Sequence, residues 1–485
     1  MLFNSFQFLL FFPVVTIIYF LLPHKFRWFH LLAASCLFYC AFIPVYILIL
    51  FFTIIIDYLA GILIEQSEGK KRKNYLVLSI ISNVLILAFF KYCNFFLDNF
   101  NGIFGLLNIH KNIPLLNIIL PIGLSFHTFQ AMSYTIEVYR GNHKAERHFG
   151  IYALYVMFYP QLVAGPIERP QNLLFQFHED KKLEYENISD GLKFILWGMF
   201  KKVVIADRLA IFTDPVFNYP HHYSPIVILL GLVFFAFQIY CDFSGYSDIA
   251  IGTARVMGFN LMTNFNRPYS SKSISEFWRR WHISLSSWLS DYVYTPLAIK
   301  YRNLGIFAII LPTMITFLIS GFWHGAGWKY IIFGGLFGIA VCYEIFTKKI
   351  RKKVFKLLPL RLGNLLSQFF FFSYLCFCYI FFRSNTLNDA FYITKKVGEA
   401  VKQIFGKLIF HKHATVNLPV NLSELSLGIT AILFLETVHL LQRHNHFETL
   451  KKSPVYIRWG IYYSLIFIIA YFGVFENRTF IYFQF

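Results

Sequence analysis

Apolar runs of about 20 residues, each long enough to cross the hydrocarbon core of a bilayer, recur from Leu2 to Ala470 with only short polar gaps between them. That recurrence excludes an ordinary soluble fold, because a chain folded in water must spread charge over its surface. Charged residues are only 14% of the 485, against roughly 25% in a soluble domain. The sequence therefore predicts an all-α, polytopic integral membrane protein in which residues 1–485 form a single transmembrane domain. Backbone groups in lipid are satisfied within helices, and about 11–13 membrane-embedded helices are expected. The run Phe6 to Leu22 has no basic flank before it and no small-residue cleavage site after it, so it reads as a retained helix.

The formal charge is +19, from 44 Lys and Arg against 25 Asp and Glu. Clustering decides what that means. The basic residues gather between apolar runs, at Lys25 and Arg27, at Lys70-Lys71-Arg72-Lys73, at Arg140, Lys144 and Arg147, and at Lys348 to Lys353, as cytoplasmic loops do. No recognition motif accompanies them, so the expected partner is membrane lipid and not nucleic acid. The seven cysteines are odd in number, sit mostly within apolar runs and match no disulfide or metal spacing, which makes them core residues. His221, His222, His411, His413, His444 and His446 stand in polar loops without a carboxylate or cysteine at ligand spacing, so no metal site is expected.

Several stretches carry local expectations. Pro44 interrupts the run from Leu31 to Ile64; Tyr75 to Phe96 leads outward to a polar loop from Asp98 to Asn112, and Ile113 to Val138 returns. Phe158 to Pro170 is apolar but carries three prolines and ends in charges, which suits an irregular re-entrant segment buried in protein. On the run Ile226 to Met257, Gln238, Asp242, Gly245, Asp248 and Arg255 recur at helical spacing and should face the interior, with Asp248 paired to Arg255 or to neighbours. Between Asn385 and Asn421 a basic amphipathic helix is expected near Ala390 to Phe405, lying on the membrane or against a partner.

Two histidine segments carry the chemistry. Ser273-Ile274-Ser275-Glu276 has capping-box spacing, predicting a helix that ends before Pro296. On it Phe277, Trp281, Leu285, Trp288 and Tyr292 form one apolar stripe, with His282 at its margin between Trp278 and Ser286. The pattern suits an interfacial helix with snorkelling Arg279 and Arg280 as well as it suits an active site. The second segment, Ser320-Gly321-Phe322-Trp323-His324-Gly325-Ala326-Gly327-Trp328, sits at the apex of a hairpin whose feet are marked cytoplasmic by Lys300, Arg302 and Lys348 to Lys353. The sixteen residues from Leu304 to Ile319 rise about 24 Å, so the apex is expected in the outer half of the membrane or near its far surface. Gly321 and Gly325 beside His324 let backbone and ligand approach closely, while Phe322, Trp323 and Trp328 exclude water. A desolvated imidazole stays neutral, as a general base must be; a packed histidine in a tight turn is the competing reading.

Together Phe277-Trp278-Arg279-Arg280-Trp281-His282-Ile283-Ser284-Leu285-Ser286, Gly321-Phe322-Trp323-His324-Gly325, Pro160 to Ile167, Asp242-Phe243-Ser244-Gly245-Tyr246-Ser247-Asp248 and Asn266-Arg267-Pro268-Tyr269 resemble the membrane-bound O-acyltransferase family. The likeness is to its bacterial branch, which holds alginate and peptidoglycan O-acetyltransferases and the teichoic-acid D-alanyl transfer protein. The resemblance implies helices around a tunnel across the inner membrane, with no tightly bound cofactor. It implies acetyl-CoA or another acyl thioester as donor substrate, and a polysaccharide acceptor reached directly or through an extracytoplasmic acetyltransferase- or esterase-like partner protein. His324 matches the family's catalytic histidine and His282 its second histidine. Trp278, Trp281, Arg279, Arg280, Trp323, Gly321, Gly325, Asp242 and Asn266 are the expected substrate-binding residues. Two rival readings stay open: a transporter or flippase using Asp242, Asp248 and Glu344 as a proton relay, and a non-catalytic scaffold.

Overall fold

The computed structural model describes residues 1–109, 112–410, 417–443, 453–476, 478, 480 and 481; His411, His413, His444 and His446 lie outside them. Among the described residues there is no strand and the fold is all-helical. In chain order the helices are α1 (Phe6–Leu21), α2 (His24–Cys40), α3 (Ile47–Gln66), α4 (Gly69–Leu106), α5 (Leu124–Arg140), α6 (Phe149–Met157), α7 (Tyr185–Met199), α8 (Asp207–Asn218) and α9 (Pro225–Val256). Then follow α10 (Ile274–Trp278), α11 (Ile283–Leu289), α12 (Thr295–Lys300), α13 (Phe307–His324), α14 (Trp328–Phe346), α15 (Lys348–Lys356), α16 (Leu360–Arg383), α17 (Leu387–Phe410), α18 (Leu422–Arg443) and α19 (Val455–Phe472). Eight of the described helices are long and apolar enough to cross a membrane. Shorter helices are embedded among them, as the sequence implies.

α9 is the axis of the fold. It is 32 residues long and, of the spanning helices, the one most enclosed by protein. α7 crosses it on glycines seven residues apart on both helices: a Cβ at Gly252 would lie 2.5 Å from the Gly191 carbonyl oxygen, and one at Gly245 2.8 Å from that of Gly198. Such spacing lets two backbones touch where lipid gives no hydrophobic drive for helices to associate. The same device joins the hairpin, where a Cβ at Gly321 would lie 2.2 Å from the Tyr330 carbonyl oxygen and one at Gly334 2.2 Å from that of Phe317. The glycines of the hairpin apex are thus used first to bring α13 against α14.

The polar series on α9 faces inward as expected, and of the two pairings left open for Asp248 it is the neighbour that is made, not Arg255. Asp248 meets Lys201 at 2.7 Å, and Asp242 meets Lys202 at 2.6 Å. Arg255 instead hydrogen-bonds Asn260. A π-helical turn over Phe200–Ala206 presents the two lysines side by side toward α9, and a cation supplied from another helix outcompetes one two turns away on the same helix.

Two other expectations change. α4 does not give way to a loop at Asp98; it continues to Leu106 past a π-helical turn at Ala88–Tyr92. The returning run becomes helical only at Leu124, because Pro114 and Pro121 remove backbone donors and bias the residues before them away from the helix. The irregular stretch is tied down by α4: Asn101 accepts from the Ile113 N–H (2.8 Å) and donates to its carbonyl (2.9 Å), and Asn94 does the same for Leu116. Phe158 to Glu168 is buried, as predicted, and irregular except for one helical turn at Tyr159–Leu162. α17 supplies the basic amphipathic helix expected between Asn385 and Asn421, starting a little earlier than expected.

Candidate active site

The single helix expected from Ser273 to Thr295 is broken at its histidine. Ser273 caps α10 through its hydroxyl oxygen, which accepts the Glu276 N–H at 3.1 Å. Glu344 of α14 completes that helix end, its carboxylate accepting the Ile274 and Ser275 N–H groups (2.5 and 2.9 Å) and the Ser275 hydroxyl (2.6 Å). After Trp278 the chain turns, and His282 adopts a left-handed conformation (φ 44°, ψ 54°). That is uncommon for a residue with a side chain and persists where neighbours over-determine it. The neighbour is the segment from 264 to 266: the Ile283 N–H donates to the Asn264 carbonyl and the Asn266 N–H to the Arg280 carbonyl, both at 2.9 Å.

Asn264 also sets the ring. Its side-chain oxygen accepts the Ser284 N–H (3.3 Å) and hydroxyl (3.0 Å) and lies 3.1 Å from His282 Nδ1. An oxygen that already accepts a backbone N–H accepts from Nδ1–H as well, which makes Nε2 the lone-pair nitrogen. The Asn264 amide in turn donates to Ser247 of α9 at 3.3 Å. His282 is fully buried, with Phe126 stacked at 5.9 Å and Phe243 edge-on at 4.7 Å.

His324 is the last residue of α13. Its imidazole lies among Trp323, Phe333 and Phe382, at ring distances of 5.0, 5.9 and 5.6 Å. Trp323 joins the two histidines, its ring also lying 6.0 Å from that of His282. The indole is itself held in a three-ring stack with Phe129 (5.5 Å) and Trp288 (4.0 Å from Phe129). The two histidines are therefore one indole apart.

A run of cavities reaches His324. A cavity of about 60 Å³ is lined by Lys91, Pro121, Ser125, Phe126, Trp323 and His324 among others. It shares Lys91 and Leu120 with a second of about 310 Å³ beside Asn94, Gly325, Ala326 and Tyr330. That one shares Ala326 with an outer vestibule of about 570 Å³ bordered by Asp98, Asn99, Trp328 and Asn385. The series opens at the end of the hairpin opposite its basic feet.

The remaining expected site residues divide. Trp281 is buried against Phe277 (5.4 Å) and Tyr269 (6.2 Å), and Trp278 packs edge-on to Phe337 at 5.1 Å. Arg280 pairs with Glu276 at 2.8 Å, whereas Arg279 is exposed. Gly325 gives room to the Tyr330 ring, 2.1 Å from where a Cβ would sit. Asn266 contributes backbone contacts beside the histidine segment. Asp242 belongs elsewhere: it holds Lys202 and accepts the Ile481 N–H at 2.7 Å, anchoring the end of the chain. With Glu344 capping α10 and Asp248 on Lys201, the three carboxylates of a proton relay are each held in separate structural contacts. Two residues the sequence reading passed over line the site instead. They are Asn264, two positions before the asparagine it chose, and Lys91.

Comparison with known proteins gives the family. A family model described as the membrane-bound O-acyltransferase family matches residues 147–387, which include both histidines. A peptidoglycan O-acetyltransferase of Helicobacter pylori is 37% identical over 75% of this chain and 72% of its own length. A probable alginate O-acetylase of Pseudomonas putida is 39% identical over 71% of this chain and 70% of its own. A teichoic acid D-alanyltransferase of Bacillus subtilis is 31% identical over 56% of this chain and 71% of its own.

Proposed function

Because the chain belongs to the membrane-bound O-acyltransferase family, we propose that it takes an acetyl group from a cytoplasmic thioester such as acetyl-CoA. The acceptor is a hydroxyl of a cell-envelope polysaccharide, reached directly or through an acyl-carrying extracytoplasmic partner protein. The observation that carries this reading is the approach of both His282 and His324 to the Trp323 ring, with stepped cavities leading from His324 toward the face opposite the basic loops. The names of the relatives support an envelope-glycan acceptor.

In the reaction, a neutral His324 imidazole takes the proton of the acceptor hydroxyl as its oxygen attacks the thioester carbonyl carbon. The new C–O bond forms, the C–S bond breaks, and the departing thiolate recovers the proton from the imidazolium. His282, with Nδ1–H committed to Asn264, presents Nε2 toward the donor side and orients the thioester. Exposed Arg279 offers its charge to the anionic phosphates of the carrier, and Trp278 and Trp281 wall the segment that holds His282.

Asn264 acts through His282. Asn264→Ala leaves the Nδ1–H unanchored, and misplacement of a reacting group costs up to roughly 10²-fold. The expected result is a loss of that order in kcat, largely recovered by Asn264→Asp, which keeps an acceptor oxygen; steady-state kinetics on both variants measures it.

Sidedness tests the reading as a whole. In sealed membrane vesicles holding the protein, labelled acetyl-CoA is expected to lose its acetyl group when offered at the cytoplasmic face, with label appearing in alginate or peptidoglycan fragments on the other. Equal consumption from both faces, or none in the presence of these acceptors and an envelope extract, rejects the proposed vectorial transfer.

A further inference from the structure

Lys91 precedes the region that the family model matches, and its position is unusual. It sits in the π-helical turn of α4, a local widening that often marks a functional site because it redirects side chains within a helix. Its ammonium donates to the carbonyl oxygens of Trp323 (2.6 Å) and His324 (3.3 Å). These belong to the last turn of α13, whose carbonyls have no partner inside their own helix and carry the negative end of the helix dipole. The ammonium is thereby fixed 5.7 Å from the Trp323 ring centre, on the indole that touches both histidines.

Depth agrees from two directions. Eighteen residues separate Lys91 from the basic foot of α4 at Lys73, and α13 itself is 18 residues long, so each climbs about 27 Å to the same level. A cation there is costly and is found facing a cavity or a partner. Lys91 lines both the cavity that holds His324 and the wider one outside it. Among the described residues no carboxylate lies within ion-pair distance of it, and of its three N–H donors two are taken by the α13 carbonyls.

A fixed ammonium with a donor to spare, lining the reaction cavity without an anion of its own, matches one demand of acyl transfer. When the hydroxyl oxygen adds to the thioester carbonyl, the carbonyl electron pair moves onto oxygen and a negative charge develops that was absent in the substrate. We propose that Lys91 is the oxyanion-stabilising catalytic residue of this enzyme, holding the carbonyl oxygen while His324 receives the acceptor proton. The charge is released when the C–S bond breaks and the carbonyl reforms. The inference rests on the acyl-transfer reading above.

Lys91→Gln separates this role from a purely structural cap, because the amide still donates to the two carbonyls but carries no charge. Purified full-length wild type, K91Q and K91R are compared for kcat, KM for acetyl-CoA and thermal unfolding. Loss of one oxyanion donor costs roughly 10²–10³-fold in kcat, so K91Q is expected to fall by that much with KM little changed and an unaltered melting temperature, while K91R retains most turnover. A K91Q kcat within about threefold of wild type, or a loss carried wholly by KM, overturns the assignment and leaves the acyl-transfer reading standing. If K91Q is not recovered folded, K91A is assayed with methylammonium in the buffer. Turnover that rises with methylammonium supports the role, and turnover indifferent to it overturns it. Wild type that transfers no acetyl group under any of these conditions refutes the underlying function instead.

Discussion

His324→Ala is expected to lower acetyl transfer by roughly 10²–10⁴-fold, the usual worth of a positioned general base, while leaving the protein folded. The second half of that expectation comes from packing. His324 ends α13, and the hairpin is held by the Gly321 and Gly334 crossing and by the Trp323, Phe129 and Trp288 stack, none of which uses the imidazole. Truncation opens space beside an existing cavity lined by Pro121, Ser125 and Phe126, so the melting temperature should shift little. Release of free thiol from acetyl-CoA, measured with a thiol-reactive dye on wild type and variant at equal folded concentration, gives the ratio. A variant that transfers at the wild-type rate removes His324 from the chemistry, and with it the assignment of the cavity series as the acceptor path.

Gly252→Leu is expected to prevent folding outright. A Cβ at this position would lie 2.5 Å from the Gly191 carbonyl oxygen and 2.9 Å from both the backbone nitrogen and the Cγ1 of Ile195, so backbone blocks it twice and rotating the Ile195 side chain away does not relieve it. Overpacking a core side chain costs typically about 1–3 kcal/mol. Here α7 must separate from α9 along its length, breaking a second glycine contact at Gly198 and Gly245 and pulling at the Lys201 to Asp248 and Lys202 to Asp242 pairs. Size-exclusion chromatography in detergent should show aggregated or absent protein. Gly398→Leu on α17, where an added Cβ meets nothing within 4 Å, should elute as wild type. A monodisperse, active Gly252→Leu variant means that the α7 and α9 contact is not what holds the central helix.

The outline of this fold is legible in the sequence because its main signals are local. Hydropathy alone marks α9, α13, α14 and α16, and the basic residues at 300, 302 and 348–353 orient the hairpin that carries His324. The details that make a site are long-range and were not legible in the same way. A capping box and a regular apolar stripe argue for an unbroken helix through His282; the break is imposed by backbone pairing with a segment near 264, which no local pattern announces. The stripe nonetheless named buried residues correctly, since Phe277, Trp281, Leu285 and Trp288 are all in the core. Asn264 is buried and Asn266 exposed, although residues two apart on an extended segment share a face, so no alternation in the sequence tells the two asparagines apart. Lys91 looks like any lysine near the end of a crossing until α13 is seen to end upon it. The charged series on α9 was read with the right orientation, and of the two pairings left open for Asp248 the structure takes the neighbour, because the cations come from a π-helical turn some 45 residues earlier in the chain.

The carboxylate of Glu344 has a mechanical meaning. It rides on α14 and grips the first turn of α10 by three hydrogen bonds, so the hairpin that bears one histidine is bolted at its inner end to the segment that bears the other. If the hairpin tilts as lipid thickness or a docked partner changes, His282 and His324 travel as passengers on the same lever. That bolt, with the Trp323 ring touching both imidazoles, ties the two histidine-bearing segments to each other.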